Sequence, residues 1–266
     1  VSERTDARDL GGRFDRMHDD CCVLPHESAD GPANMALDEA MLDAVAADPS
    51  CALWRTYGWT VPTLSLGYFQ RIEDAETDPR WSGAPIVRRP TGGGAIWHDH
   101  ELTYALVLPA THRLARRSTD LYRAVHGAIA ELFRASGVAV ERHGDQRPQK
   151  IVEGSHFLCF TGRDSEDIVA SDWKVVGSAQ RRRCGAVLQH GSMLLVRSTR
   201  TPELLGACDL APVSRDLLHW SNRVQTEVLH ALALRPHGRP FPGSLVERAA
   251  ELEARVYRND LWLRKR

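Results

Sequence analysis

Residues 86–104 read Ile86-Val87-Arg88-Arg89-Pro90-Thr91-Gly92-Gly93-Gly94-Ala95-Ile96-Trp97-His98-Asp99-His100-Glu101-Leu102-Thr103-Tyr104. Ile86-Val87 reads as the end of a buried strand and Ala95-Ile96-Trp97 as the start of another. Between them stand two arginines, a proline and three consecutive glycines. Glycine gives up side-chain contacts and carries a large ordering entropy, so packing does not explain three together. They suit a turn whose backbone comes close to a ligand and points N–H groups at it. Arg88 and Arg89 add fixed positive charge and forked donors for a carboxylate or phosphate. The plainer alternative is a glycine-rich hairpin with solvated arginines. Neither G-x-G-x-x-G nor G-x-x-x-x-G-K-[ST] occurs in this stretch, which argues against a dinucleotide fingerprint or a Walker loop.

Outward from this turn the chain alternates irregularly between strand and helix patterns. Residues 1–29 are polar and read as an irregular N-terminal arm; a single domain is expected over 30–266. Asp30-Gly31-Pro32 signals a helix start, and the helix that follows places Met35, Leu37, Met41, Leu42 and Val45 at core spacing. Cys51 to Trp59 and Val61 to Phe69 read as strands, as does Leu102 to Leu108. A second amphipathic helix runs from Leu121 to Ser136 and closes at Gly137. Short strands are expected at Val138-Ala139-Val140 and His156 to Phe160, with longer ones at Trp173 to Gln180 and Ala186 to Leu195. The segment of about 214–266 is helical in period. Strands flank helices without strict alternation. The expected fold is therefore α+β, a mixed β-sheet flanked by helices.

Composition narrows the function. The 266 residues include 34 basic and 35 acidic side chains, for a formal net charge of -1. That balance excludes bulk nucleic-acid binding, which leaves a basic excess. No apolar run approaches the ~18 residues that span a bilayer, and residues 1–6 lack the apolar core of a signal peptide. No membrane association and a cytoplasmic location are expected. Six cysteines, at 21, 22, 51, 159, 184 and 208, contain no C-x-x-C. Neither a zinc site nor a disulfide framework is expected, and no metal is assigned.

Chemistry then falls to a few side chains. A cysteine nucleophile wants a nearby cation to favour its thiolate. Cys159, between Leu158 and Phe160, is either that nucleophile or an inert buried thiol. Lys174 is the only lysine between 151 and 264 and sits in a strand-like run; a surface lysine is the alternative. His98 and His190 are ligand contacts, proton carriers or structural histidines. Arg181-Arg182-Arg183 reads as a solvated turn, available to an acidic partner.

Taken together, Arg88-Arg89-Pro90-Thr91-Gly92-Gly93-Gly94-Ala95-Ile96-Trp97-His98-Asp99, Glu101-Leu102-Thr103-Tyr104, Lys174-Val175-Val176-Gly177-Ser178-Ala179-Gln180 and Gln189-His190-Gly191-Ser192 resemble the lipoate/octanoate–protein ligase and transferase family. Asn34 to Glu39, Ser65 to Gln70 and Tyr257 to Trp262 extend the likeness over roughly residues 31–264. The resemblance implies a mixed-sheet catalytic domain of the biotin/lipoate protein ligase type, with a tunnel for an eight-carbon acyl chain. It implies substrate contacts at Arg88, Arg89, Gly92, Gly93, Gly94, His98, Ser178, Ala179, His190 and Gly191. Cys159-Phe160 is similar to the nucleophile site of cysteine-type octanoyltransferases, which implies Cys159 and Lys174 as the catalytic pair. Such enzymes take the acyl group from acyl carrier protein and give it to a lysine of a lipoyl-carrier protein, such as the glycine cleavage H protein or a dehydrogenase lipoyl domain. No cofactor is then needed. The alternative is a lipoate–protein ligase using ATP and Mg, and the triple glycine ending at Gly94 is ligase-like. A third reading is a non-catalytic acyl or carrier-protein binding module. Cys208 is a rival nucleophile, and Cys184 lies in a variable turn.

Overall fold

The fold, taken from a computed structural model, is described for residues 20–145, 157–237 and 243–265. Its spine is an antiparallel pair, β7 (Glu101–Pro109) and β11 (Ala186–Leu194), every residue of which is buried. They pair in one register from Ala186 opposite Pro109 to Leu194 opposite Glu101. Side chains alternate across the sheet, as strand geometry dictates. Leu102, Tyr104, Leu106 and Leu108 join one core with Trp54, Val125, Ile129, Phe133 and Trp220. Ala105 and Val107 join the other with Met35, Met41, Leu42, Tyr57 and Leu188.

Around this pair the main sheet adds β1 (Asp20–Val23), β2 (Glu27–Ala29), β3 (Ala52–Trp59), β8 (Glu141–Arg142), β9 (Ile168–Ala170), β10 (Trp173–Arg183) and β12 (Arg235–His237). Its order is β12-β1-β3-β7-β11-β10-β9-β8, with β2 also on β3. Pairings of β1 with β3 and β12 are parallel, whereas those from β3 through β11 to β10 are antiparallel. The sheet is therefore mixed, as expected. Helices α1 (Gly31–Ala47) and α4 (Gly243–Leu252) cover one face, and α2 (Ser118–Ala135) and α3 (Leu217–Ala231) cover the other. Asp30 caps α1, accepting from the Ala33 N–H at 3.0 Å, with Pro32 in the first turn. No described helix is long and apolar enough to cross a membrane.

A second, three-stranded sheet holds β4 (Thr63–Leu66), β5 (Ile86–Arg88) and β6 (Ile96–His98). Strand β4 lies in the middle, parallel to β5 and antiparallel to β6. The glycine turn between β5 and β6 is thus no hairpin: it arches over the end of β4. A short turn, Asp260–Leu263, docks on this sheet, where Trp262 Nε1 donates to the Arg88 carbonyl at 2.9 Å.

Several local expectations are corrected. Residues 20–29, expected within the irregular arm, form two strands, because Cys21 and Cys22 alternate into the two cores; the arm's residues 1–19 and His156 lie outside the described residues. Val138 and Val140 bury their side chains without a strand partner, and pairing starts only at Glu141. Phe157 to Phe160 is a loop with one parallel bridge, Leu158 to Ala95. The C-terminal segment is broken by β12. The three arginines 181–183 belong to β10: Arg181 donates to the Pro90 carbonyl, Arg182 to that of Ala115, and Arg183 pairs with Glu39 and Asp43.

Candidate active site

The loop carrying Cys159 is fastened to the strand after the glycine turn. The Ala95 N–H donates to the Phe157 carbonyl and the Cys159 N–H to the Ala95 carbonyl, both at 2.7 Å. Gln70 Nε2 adds a donor to the Phe157 carbonyl at 2.9 Å. This approach needs a glycine at 94, since a Cβ there would stand 2.8 Å from the Cys159 nitrogen. From the opposite wall β10 delivers Lys174, at an irregularity in its pairing with β9. Lys174 Nζ lies 3.5 Å from Cys159 Sγ, donates to the Cys159 carbonyl at 3.3 Å and pairs with Asp167 Oδ2 at 2.8 Å. Its stem folds over Gly177, where a Cβ would come within 2.4 Å of Lys174 Cε. Burial works against the ammonium, but interaction with Cys159 and the Asp167 carboxylate outweighs it, so the Lys174 pKa is raised above its ordinary value. Lys174 is therefore a cation at neutral pH, placed to stabilise negative charge on Sγ.

Cys159 stands where two cavities meet. Inward is a narrow slot of about 40 Å³, walled by Met35, Tyr57, Ile96, Gly177 and Ala179 among others. Outward is a recess of about 320 Å³, lined by Tyr122, His126, Asp164, Glu166, Asp167, Lys174 and Gln180. Gly92, Gly93, Cys159, Ser178 and Ala179 line both. The N–H groups of Gly92 and Gly93 meet no acceptor among the described residues.

Arg89, His98, His190 and Gly191 also line the slot. Arg89 staples the glycine turn from inside, donating to the carbonyls of Ser65, Gly92 and Gly94 at 3.0, 2.8 and 2.6 Å. Burial lowers its pKa, and no carboxylate among the described residues pairs with it. His98 is held by Ser65 Oγ at 2.7 Å and by Glu101, with its ring 3.8 Å from that of Trp59. His190 bridges Thr91 Oγ1 and Asp38 Oδ2, each at 2.7 Å.

Two residues expected as substrate contacts stand outside both cavities. Gly94 lines neither cavity; it is the spacer that admits the cysteine loop. Arg88 is wholly buried and its guanidinium is spent on backbone, donating to the carbonyls of Gly67, Gln70 and Leu263 at 3.0, 2.6 and 2.7 Å. Successive strand residues point to opposite faces, so only one of the two arginines can face the slot. Neither rival thiol reaches the site. Cys208, on a short turn at Ala207–Leu210, donates to the Ser214 carbonyl at 3.3 Å. Cys184 lies in the turn just past the far end of β10, roughly 30 Å from Lys174 at ordinary strand rise.

Sequence reasoning missed Asp38, His126 and Asp167. Asp38 is fully buried on α1 and takes Arg55 at 2.7 Å and the Tyr57 hydroxyl at 2.9 Å as well as His190. Burial pushes its carboxyl upward, but Arg55 and His190 overcome this and hold it below the usual range. A signal existed: Asp38 is three residues from both Met35 and Met41, on the apolar stripe, and His126 stands in the same relation to Ile129. Asp167 offered none, lying in an acidic run that reads as loop.

Residues 30–202 match the lipoyl protein ligase A/B catalytic domain family. The chain belongs to that family. Among its members, octanoyltransferase LipM of Geobacillus kaustophilus (strain HTA426) is 39% identical over 170 residues, 61% of this chain and 60% of that protein. Thus the chain spans about 60% of the length of this relative. Octanoyltransferase LipM of Kyrpidia tusciae is 36% identical over 224 residues, 81% of this chain and 79% of that one. The family fold is shared with lipoate-protein ligase A, solved bound with ATP: TM-score 0.71 and 22% identity, over 92% of this chain and 98% of that one.

Proposed function

We propose that this chain is an octanoyltransferase that moves an octanoyl group from the thioester of an acyl carrier protein onto Cys159, and then to a lysine of a lipoyl-carrier protein. One observation carries the reading: Lys174 Nζ lies 3.5 Å from Cys159 Sγ where the slot opens into the recess. Family membership and the relatives named octanoyltransferase LipM support it. In the first step Sγ attacks the donor carbonyl, a new thioester forms, and the donor thiolate leaves and takes up a proton. Lys174 holds charge on the sulfur, and the free N–H groups of Gly92 and Gly93 face the carbonyl oxygen as its charge develops. The acyl chain enters the slot; burying about six methylenes at ~0.8 kcal/mol each contributes on the order of 5 kcal/mol. In the second step the carrier's lysine resolves the acyl-enzyme. Thioester exchange is nearly thermoneutral and aminolysis runs downhill, so the cycle requires no ATP.

Intact-mass spectrometry after mixing with octanoyl-acyl carrier protein tests this. The wild type is expected to gain one octanoyl group and Cys159→Ala none; an adduct persisting in Cys159→Ala overturns the assignment. Pyrophosphate released from lipoate and ATP, with activity kept in Cys159→Ala, would establish the ligase alternative. Gly94 does not by itself argue for that alternative, because the path of the cysteine loop already requires it. Octanoate binding with no transfer to any carrier would establish a binding module.

A further inference from the structure

Resolving an acyl-enzyme with a lysine raises a proton problem that Cys159 and Lys174 leave open. The acceptor arrives as an ammonium. One proton must leave the nitrogen before it can bond to the carbonyl carbon, and a second leaves as the C–S bond breaks. That second proton goes to the departing Sγ. Lys174, already an ammonium, cannot take the other. The recess carboxylates are engaged: Asp167 with Lys174 at 2.8 Å, Glu166 with Arg123 at 3.1 Å and Arg142 at 3.2 Å, and Asp164 with the Glu166 N–H at 3.0 Å.

A chain of hydrogen bonds beside Cys159 has a direction that fits. His126, fully buried on α2, faces the Glu166 carbonyl through Nδ1. A carbonyl only accepts, so Nδ1 carries the ring proton, and in the neutral ring Nε2 is an acceptor. Nε2 lies 2.6 Å from Ser178 Oγ, so the Ser178 hydroxyl donates to it. Ser178 Oγ then accepts from the Tyr104 hydroxyl at 2.6 Å, which in turn accepts from Gln189 Nε2 at 3.0 Å. Every donor in the chain points toward His126. Ser178 lines both cavities and is half-buried, whereas His126 stands fully buried behind it, so the chain meets both the incoming amine and solvent through Ser178.

We infer that Ser178 takes the first proton from the acceptor ammonium while passing its own hydroxyl proton to His126 Nε2, which frees the amine to attack; the second proton goes to the departing Sγ, and the imidazolium returns its proton through half-buried Ser178 to water once the amide product has left. This rests on the octanoyltransferase reading and adds a base that acts only in the second half of the cycle. The charged and titratable groups facing His126 are Glu166, Asp167, Lys174, Tyr104 and Tyr122. Burial lowers the His126 pKa, the Glu166 carbonyl and Asp167 opposing without overcoming it, so the ring is a free base at neutral pH.

Single-turnover kinetics on octanoyl-enzyme separate the halves, using a lipoyl domain as acceptor. His126→Gln and Ser178→Ala are each expected to lower the ratio of transfer rate to acylation rate by about 100-fold, so that octanoyl-enzyme accumulates. Wild-type transfer should be nearly flat between about pH 7 and 9, whereas the variants should climb up to tenfold per unit as free amine appears. Hydroxylamine, uncharged at neutral pH, should deacylate wild type and variants alike. Should His126→Gln not fold, Ser178→Ala carries the same readouts. Equal slowing of both halves, an unchanged pH profile, or an equal loss with hydroxylamine overturns the relay. Absence of any octanoyl adduct on the wild type would instead overturn the functional reading beneath it.

Discussion

Cys159 and Cys208 are the same side chain in two corners of the molecule, and both are half-buried. At Cys208 the thiol meets a carbonyl: Sγ donates to Ser214 at 3.3 Å, and burial pushes its pKa up, with Arg215 opposing weakly. At Cys159 the thiol meets an ammonium at 3.5 Å, and a slot and a recess open on either side. What separates them is the partner that the fold delivers to the sulfur. A carbonyl favours the thiol and a cation favours the thiolate.

Removing the cation is the strongest way to break that contrast. Lys174→Met is expected to slow acylation of Cys159 by about 100-fold or more. Iodoacetamide labelling of Cys159 should slow with it, while labelling of Cys208 holds; peptide mapping reads both. The next largest effect tests support for the Cys159 wall. Arg88→Met leaves the half-buried carbonyls of Gln70 and Leu263 without a donor, Gly67 keeping the Gln70 N–H, and urea unfolding should show a loss of about 2 kcal/mol. A loss of activity with no loss of stability would restore Arg88 to the substrate.

Acid sharpens the contrast further, because two buried histidines lie on the Cys159 side. Burial holds His98 and His126 below the ordinary value of 6.5, Glu101 and the Glu166 carbonyl pulling the other way without prevailing. The unfolded chain therefore binds protons that the fold refuses. Their stability contribution is complete above about pH 6.5 and declines as pH falls through 6.5 toward the lowered native values. Thermal melts across pH 8 to 5 should show a falling midpoint, and a flat one would break the expectation. Smallest of all, Cys208→Ala should leave transfer unchanged within error, and a large loss would make the second corner a rival again.

Residue pattern made much of this legible and geometry made the rest. Strands β7 and β11 carry the apolar runs Tyr104 to Leu108 and Ala186 to Leu188, and α1 announces itself through Asp30 and Pro32, so the scaffold could be read directly. The glycine turn stood out as backbone suited to close approach, but which of the two adjacent arginines lines the slot depended on strand parity, which a three-residue strand does not reveal. Lys174 and Cys159 are fifteen residues apart across an acidic loop, and only the arch over β4 brings them together. Asp38 and His126 were hidden by a habit of reading helix stripes for apolar residues and passing over the polar residue within them. Asp167 was hidden because a carboxylate in a charged loop looks like solvated surface until a buried lysine claims it.

The crowding at Gly94 ties two remote positions into a single engineering decision. A methyl group there would begin 2.8 Å from the Cys159 nitrogen and 3.0 Å from the Phe157 carbonyl oxygen, so any enlargement must shove the sulfur off its lysine. Transplanting this machinery into another scaffold means carrying both ends together: residue 94 sets where the loop can stand, and the loop sets whether sulfur and cation ever meet.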